Sequence, residues 1–205
     1  MLARGFTLLE LMIALAIAAI MMMIGLPSYQ LLVDNTKTKG TAESMLSGMR
    51  LARAEAIKRN SPMRFQLVSS LSASCAYDTT SSLWVVSQTD QANYGEVAGK
   101  CDQATALPLD PCDASCKDNP YIAYKSLGTS RDDPSLVVVA DAAVVTFGPL
   151  GQVLLNFEGG ASLAQVTVSS TNTGAKIWQV QVSSPAGSLK LCDTAIPAGQ
   201  PHACA

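Results

Sequence analysis

The sequence contains one histidine, His202, and charged residues fill only 15% of its 205 positions. Scarce histidine removes most arrangements for general acid–base or nucleophilic catalysis. The one Cys–His pairing available is His202 beside Cys204, and a disulfide competes for that cysteine. No phosphate loop or dinucleotide fingerprint occurs, which excludes nucleotide chemistry built on those motifs. The formal net charge of −2 is not that of a general nucleic-acid binder. No internal repeat and no low-complexity tract is present, so solenoid and disordered classes fall away. No cysteine precedes Cys75. No small-residue cleavage site follows the apolar N-terminal stretch, which excludes an ordinary secretory signal.

What the sequence does have begins at once. Residues 6–26 form an apolar run of 21 residues, long enough for one helix to cross about 30 Å of hydrocarbon. The run carries a single charge, Glu10. A carboxylate at such a depth costs about 3 kcal/mol on insertion scales, so it needs a purpose. The polar-to-apolar junction lies before the run, at Gly5-Phe6, and a cut there would leave the apolar helix as the new N-terminus. Pro27 removes a backbone donor and clashes with the preceding turn, so a kink or local melting is expected near residues 25–27. Tyr29 stands where an interfacial aromatic would anchor the helix.

Beyond the span, Ala42, Met45, Leu46, Met49, Ala52 and Ala56 recur at three- and four-residue spacing. They predict an amphipathic helix whose apolar stripe lies on a sheet and which ends at Asn60-Ser61-Pro62. Residues 34–64 hold seven Lys or Arg against three acids, so Arg50 and Arg53 are candidate DNA contacts on a face that is more commonly just solvated. From residue 63 the period changes to two. Strands are predicted over residues 63–68, 83–87, 121–127, 136–140, 144–147, 152–157, 164–169, 177–183 and 188–192. Alternation of Trp178, Val180 and Val182 with Gln179, Gln181 and Ser183 predicts an antiparallel sheet with one wet face.

Six cysteines stand at 75, 101, 112, 116, 192 and 204. An exported domain meets an oxidising compartment, so disulfides are expected, with 15 possible pairings. Proximity favours Cys112–Cys116 and Cys192–Cys204, which leaves Cys75–Cys101 across an irregular loop. Cys112-x-x-x-Cys116 lacks the second ligand pair of a zinc site. The acids Asp102, Asp110, Asp113, Asp118, Asp132 and Asp133 do not follow the calcium-loop spacing. No metal and no cofactor is expected.

The run Arg4-Gly5-Phe6-Thr7-Leu8-Leu9-Glu10 resembles the class III signal of type IV pilins and type II secretion pseudopilins. The resemblance covers Gly5, Phe6, Glu10 and Pro27. It implies cleavage by a prepilin peptidase between Gly5 and Phe6, methylation of the Phe6 amine, and assembly through Glu10. The run Ala52-Arg53-x-Glu55-Ala56-Ile57-x-x-Asn60 is similar to the second half of the N-terminal helix in the GspH/FimT group. Residues 144–151 resemble that group's F-x-P-x-G segment, and residues 191–204 resemble its disulfide-closed C-terminus.

The fold so implied is α+β and pilin-like: a long N-terminal helix packed on a C-terminal antiparallel β-domain. Its expected parts are a leader over 1–5, an assembly helix over 6–27, an amphipathic half over 28–62 and a β-rich domain over 63–205. The resemblance implies a structural subunit rather than an enzyme, held in the bacterial inner membrane with a periplasmic domain before assembly. Its partners would be other pilins or pseudopilins. Three roles follow: a minor pilin of a type IV pilus, an H-type pseudopilin of type II secretion, or a pilin that captures DNA. DNA-binding members resemble one another in a C-terminal Gly-Arg-x-Arg motif. Here Gly187-Ser188-Leu189-Lys190 offers one lysine, Lys190, and no arginine.

Overall fold

The computed structural model describes residues 7–89, 95–105, 120–127 and 133–204. Among the described residues one helix, α1 (Leu8–Arg59), precedes nine strands. Thr7 is its N-cap and forms a capping box with Glu10. At the other end Asn60 takes the left-handed conformation, φ 50°, and its N–H closes the last turn. Lys58 and Arg59 in that turn suit the negative end of the helix dipole. The helix is assigned without a break from Leu8 to Arg59.

The strands are β1 (Met63–Leu67), β2 (Trp84–Gln88), β3 (Ile122–Lys125), β4 (Leu136–Ala140), β5 (Val144–Phe147), β6 (Val153–Leu154), β7 (Gln165–Ser170), β8 (Trp178–Ser183) and β9 (Ser188–Asp193). They form two antiparallel sheets, one ordered β3-β2-β1-β5-β6 and one ordered β4-β7-β8-β9. The expected segment 152–157 is strand only at β6, because its ladder to β5 stops at Thr146↔Leu154.

The distal half of α1 lies across both sheets. All six residues of the predicted stripe are buried, with Met63, Phe65, Trp84 and Phe147 from one sheet and Val166, Val168 and Val180 from the other. Gly48 lets the backbone come close here. A Cβ on it would stand 2.8 Å from the Phe65 and Trp84 rings, which themselves pack with centroids 5.7 Å apart. Full burial of a side chain such as Phe65 contributes about 1.5–3 kcal/mol.

The second face of the five-stranded sheet is not wet. Period-two geometry turns Arg64 and Gln66 away from α1, yet both are fully buried, as are Ser87 and Thr146 on either side of Arg64. Their polar groups find one another. Gln66 Nε2 donates to Ser87 Oγ at 2.7 Å, Tyr77 Oη donates to Gln66 Oε1 at 3.0 Å, and Thr146 Oγ1 donates to Asn156 Oδ1 at 3.0 Å. Arg64 pairs with Glu158. Beside this network Val68, Val85, Val97 and Ile122 make a small second core around the Cys75–Cys101 disulfide. The expectation of one wet face rests on residues 178–183 of the other sheet, where Ser183 is exposed and Gln181 half-buried but Gln179 is buried.

Candidate assembly helix and cationic groove

Glu10 stands in the exposed apolar half of α1. Leu8, Leu15 and Met23 are 77%, 63% and 82% exposed, so none of the described residues covers that surface. The carboxylate is turned back to the helix start: Glu10 Oε2 accepts from the Thr7 N–H at 3.2 Å and from Thr7 Oγ1 at 3.1 Å. The Glu10 N–H in turn donates to Thr7 Oγ1 at 3.2 Å. Thr7-Leu8-Leu9-Glu10 is a T-x-x-E capping signature, a signal that the sequence carries locally. Gly5 and Phe6 lie outside the described residues.

The cationic residues of the distal helix and of β9 separate into two sets. Arg53 is already engaged: its Nε donates to the Gly151 carbonyl at 2.9 Å. Gly151 has φ 78°, a conformation that favours glycine, and Gly187 packs so closely that a Cβ on it would reach 2.1 Å from the Gly151 oxygen. Arg53 therefore braces two hairpin turns against the helix. Glu55 is buried and takes hydrogen bonds from Arg59 Nε at 2.8 Å, Lys58 Nζ at 3.2 Å and Tyr124 Oη at 3.1 Å. Burial pushes its carboxyl up, but these three donors outweigh it and hold the group below its ordinary value.

Arg50 and Lys190 form the second set, and the fold brings them to one groove of about 730 Å³ between α1 and β9. Lys39, Glu43, Leu46 and Arg50 supply the helix side. Trp178, Leu189 and Leu191 supply the sheet side, with His202 at the margin. Lys39 and Lys176 each place an ammonium near the Trp178 ring, 5.6 and 5.8 Å from its centroid. The indole N–H is buried without an acceptor among the described residues.

The groove walls are fixed by polar contacts. Asn172 Nδ2 donates to buried Asp34 at 2.6 Å, and the Lys176 N–H donates to Asn35 Oδ1 at 2.7 Å, pinning the β7–β8 turn to the helix. Lys176 Nζ lies 3.1 Å from Asp193. Burial pushes the Asp193 carboxyl up, but the Ala195 N–H and Lys176 prevail and hold it below its ordinary value. The Cys192–Cys204 disulfide and a bond from the Asp193 N–H to the His202 carbonyl, 2.9 Å, carry the C-terminal segment alongside. Cys204 is thus bonded, and a Cys–His nucleophile at His202 is ruled out.

Two of the three expected disulfides are present, Cys75–Cys101 and Cys192–Cys204. Cys112 and Cys116 lie outside the described residues, as do Asp110, Asp113, Asp118 and Asp132. Asp133 is described, and it pairs with Lys37 at 2.6 Å. Among the described residues no cluster of metal-ligating side chains occurs.

Two family models match the chain. Type II transport protein GspH matches residues 41–187, and the prokaryotic N-terminal methylation motif matches residues 1–26. Two solved structures of the Pseudomonas aeruginosa type IV minor pilin FimU, in different crystal forms, also align with it. One is 15% identical, covers 82% of this chain and 99% of the other, and has a TM-score of 0.38. The second is 13% identical, covers 85% and 99%, and has a TM-score of 0.41. No curated protein matches. The family assignment rests on the sequence models.

Proposed function

The chain belongs to the GspH family of type II transport proteins, and we propose that it is a minor pilin, a structural subunit that enters or caps a type IV filament through the apolar half of α1. The observation that carries this reading is the division of one continuous helix. Its distal half is the core of the domain, whereas its proximal half presents apolar side chains all round and one carboxylate. In a membrane that half spans the hydrocarbon, and in a filament the same half packs among its counterparts from other subunits.

Processing follows from the methylation motif. A prepilin peptidase removes residues 1–5, cutting between Gly5 and Phe6, and the Phe6 amine is methylated. The protein waits in the bacterial inner membrane with its C-terminal domain in the periplasm. The freed amine is the positive charge that Glu10 lacks. The capping box already turns the Glu10 carboxylate toward the helix start, one residue from that amine in sequence. A neighbouring subunit displaced along the axis can bring its own amine to the same carboxylate. Glu10 then penalises every stagger that leaves it unpaired in an apolar core. At Pro27 a bend within the continuous helix would let the proximal half follow its neighbours.

The second reading is a type II secretion pseudopilin, favoured by the description of the matching family model. The disulfide-closed C-terminus favours the pilus reading. DNA capture draws only on Arg50 and Lys190, because Arg53 is held by Gly151. Mass spectrometry of sheared surface filaments tests the proposal: the chain is expected there, beginning at methylated Phe6. An intact Met1 would refute the processing. Absence from filaments together with a secretion defect on deletion would establish the pseudopilin.

A further inference from the structure

The groove lies at a sheet edge that is only partly covered. β9 is the terminal strand of its sheet. On its outer side Asp193 pairs with Ala203 in a parallel bridge. Among the described residues, no backbone hydrogen bond leaves residues 188–191 on that side. A bare row of main-chain donors and acceptors is a template for another strand. Here the row adjoins an apolar floor made by the half-buried Leu189, Leu191 and Trp178. Arg50 stands on the helix side of that floor and Lys190 alternates with the two leucines on the strand; both are exposed, and neither has an ion-pair partner among the described residues.

We propose that this groove docks an extended acidic segment of another protein, which adds as a strand beside residues 188–191 and continues the row that Ala203 begins. Such a segment alternates small apolar side chains, directed at Leu189 and Leu191, with carboxylates that meet Lys190 on the outer face of the strand, and a carboxylate at its end meets Arg50. Main-chain bonds supply affinity and the alternating side chains supply selectivity.

Charge decides between occupants. Lysine on an edge strand ordinarily repels other strands. Lys190 does so for a second β9 edge, which would bring lysine against lysine, but it attracts a strand bearing carboxylates. A nucleic acid fits less well. A phosphate chain has no amide row to match the bare main-chain donors and acceptors, and it leaves the apolar floor of Leu189 and Leu191 without a counterpart. The inference does not draw on the filament reading, so each can fail without the other.

The test uses the full chain in detergent micelles and a labelled synthetic peptide of strand length that alternates valine and glutamate. Its valine–lysine counterpart and a short oligothymidylate serve as competitors. Saturable binding is expected, with slowed amide exchange at residues 188–191 and weakening as salt rises. Arg50→Glu combined with Lys190→Glu should weaken it at least about tenfold with the thermal midpoint unchanged. No binding of the acidic peptide, equal binding of the lysine peptide, or binding without protection at 188–191 would each overturn the proposal. So would displacement by oligothymidylate, which would mark a nucleic-acid groove, or protection at 188–191 that rises with protein concentration alone, which would mark self-association.

Discussion

Between Leu8 and Met23 α1 turns leucine, isoleucine and methionine outward on every side; between Thr38 and Ala56 the same helix keeps Met45, Met49, Ala52 and Ala56 wholly out of water. The halves differ little in helix-forming residues. They differ in what the rest of the chain provides. The distal half has an apolar stripe at helical period and two sheets to receive it. The proximal half is apolar all round, a pattern that calls for surroundings apolar on every side. Hydrophobicity alone therefore does not say whether a helix folds a domain or joins an assembly. The distribution of polar residues around the axis does.

Variants in the domain built on the distal half should destabilise it while leaving the proximal half competent for membrane insertion. Phe65→Ala empties the space between Trp84 and Gly48 and should cost about 3–5 kcal/mol in chemical denaturation. An unchanged midpoint would show that α1 does not rely on that contact. Replacing both Cys75 and Cys101 by alanine reopens a loop with a sequence separation of 26. In the chain-entropy model that costs about 3 kcal/mol, read in the same assay without reductant. Gly48→Ala adds a methyl where 2.8 Å is available. It should cost about 1–3 kcal/mol through overpacking, and a neutral result would mean that the rings move aside.

The smallest effect is expected from pH. Lys37 and Ser135 hold the Asp133 carboxyl down at about 2, below its ordinary 3.8. Because the folded value is depressed, this pair stabilises above about pH 4 and its contribution is lost as the pH falls toward 2. Glu55, also lowered, acts in the same direction. The thermal midpoint should therefore decline on acidification below pH 4. Asp133→Asn keeps an acceptor for Ser135 but removes the charge, so it should flatten part of that decline.

Much of this division is legible in the residues. The stripe from Ala42 to Ala56, the stop at Asn60 and the strand at 144–147 follow from local period and cap chemistry, and all are found. The burial of Arg64 and Gln66 is not legible, because alternation marks them as solvent-facing and only loops distant in sequence cover them. The groove is hidden for the same reason. Lys39 and Arg50 are far in sequence from Trp178 and Lys190, and the turn anchored by Asp34 and Asn35 brings the two sets together. Arg53 shares Arg50's charge and helix, but a tertiary contact with Gly151 gives it a different task.

The central claim is that the proximal half of α1 assembles and the distal half folds. Glu10→Val tests it most directly, with two readings on one variant: the thermal midpoint of the domain, and the amount in sheared filaments relative to the total in membranes. The account predicts an unchanged midpoint, normal cleavage after Gly5 and a marked fall in incorporation. Normal incorporation, or a midpoint that falls together with incorporation, would contradict it.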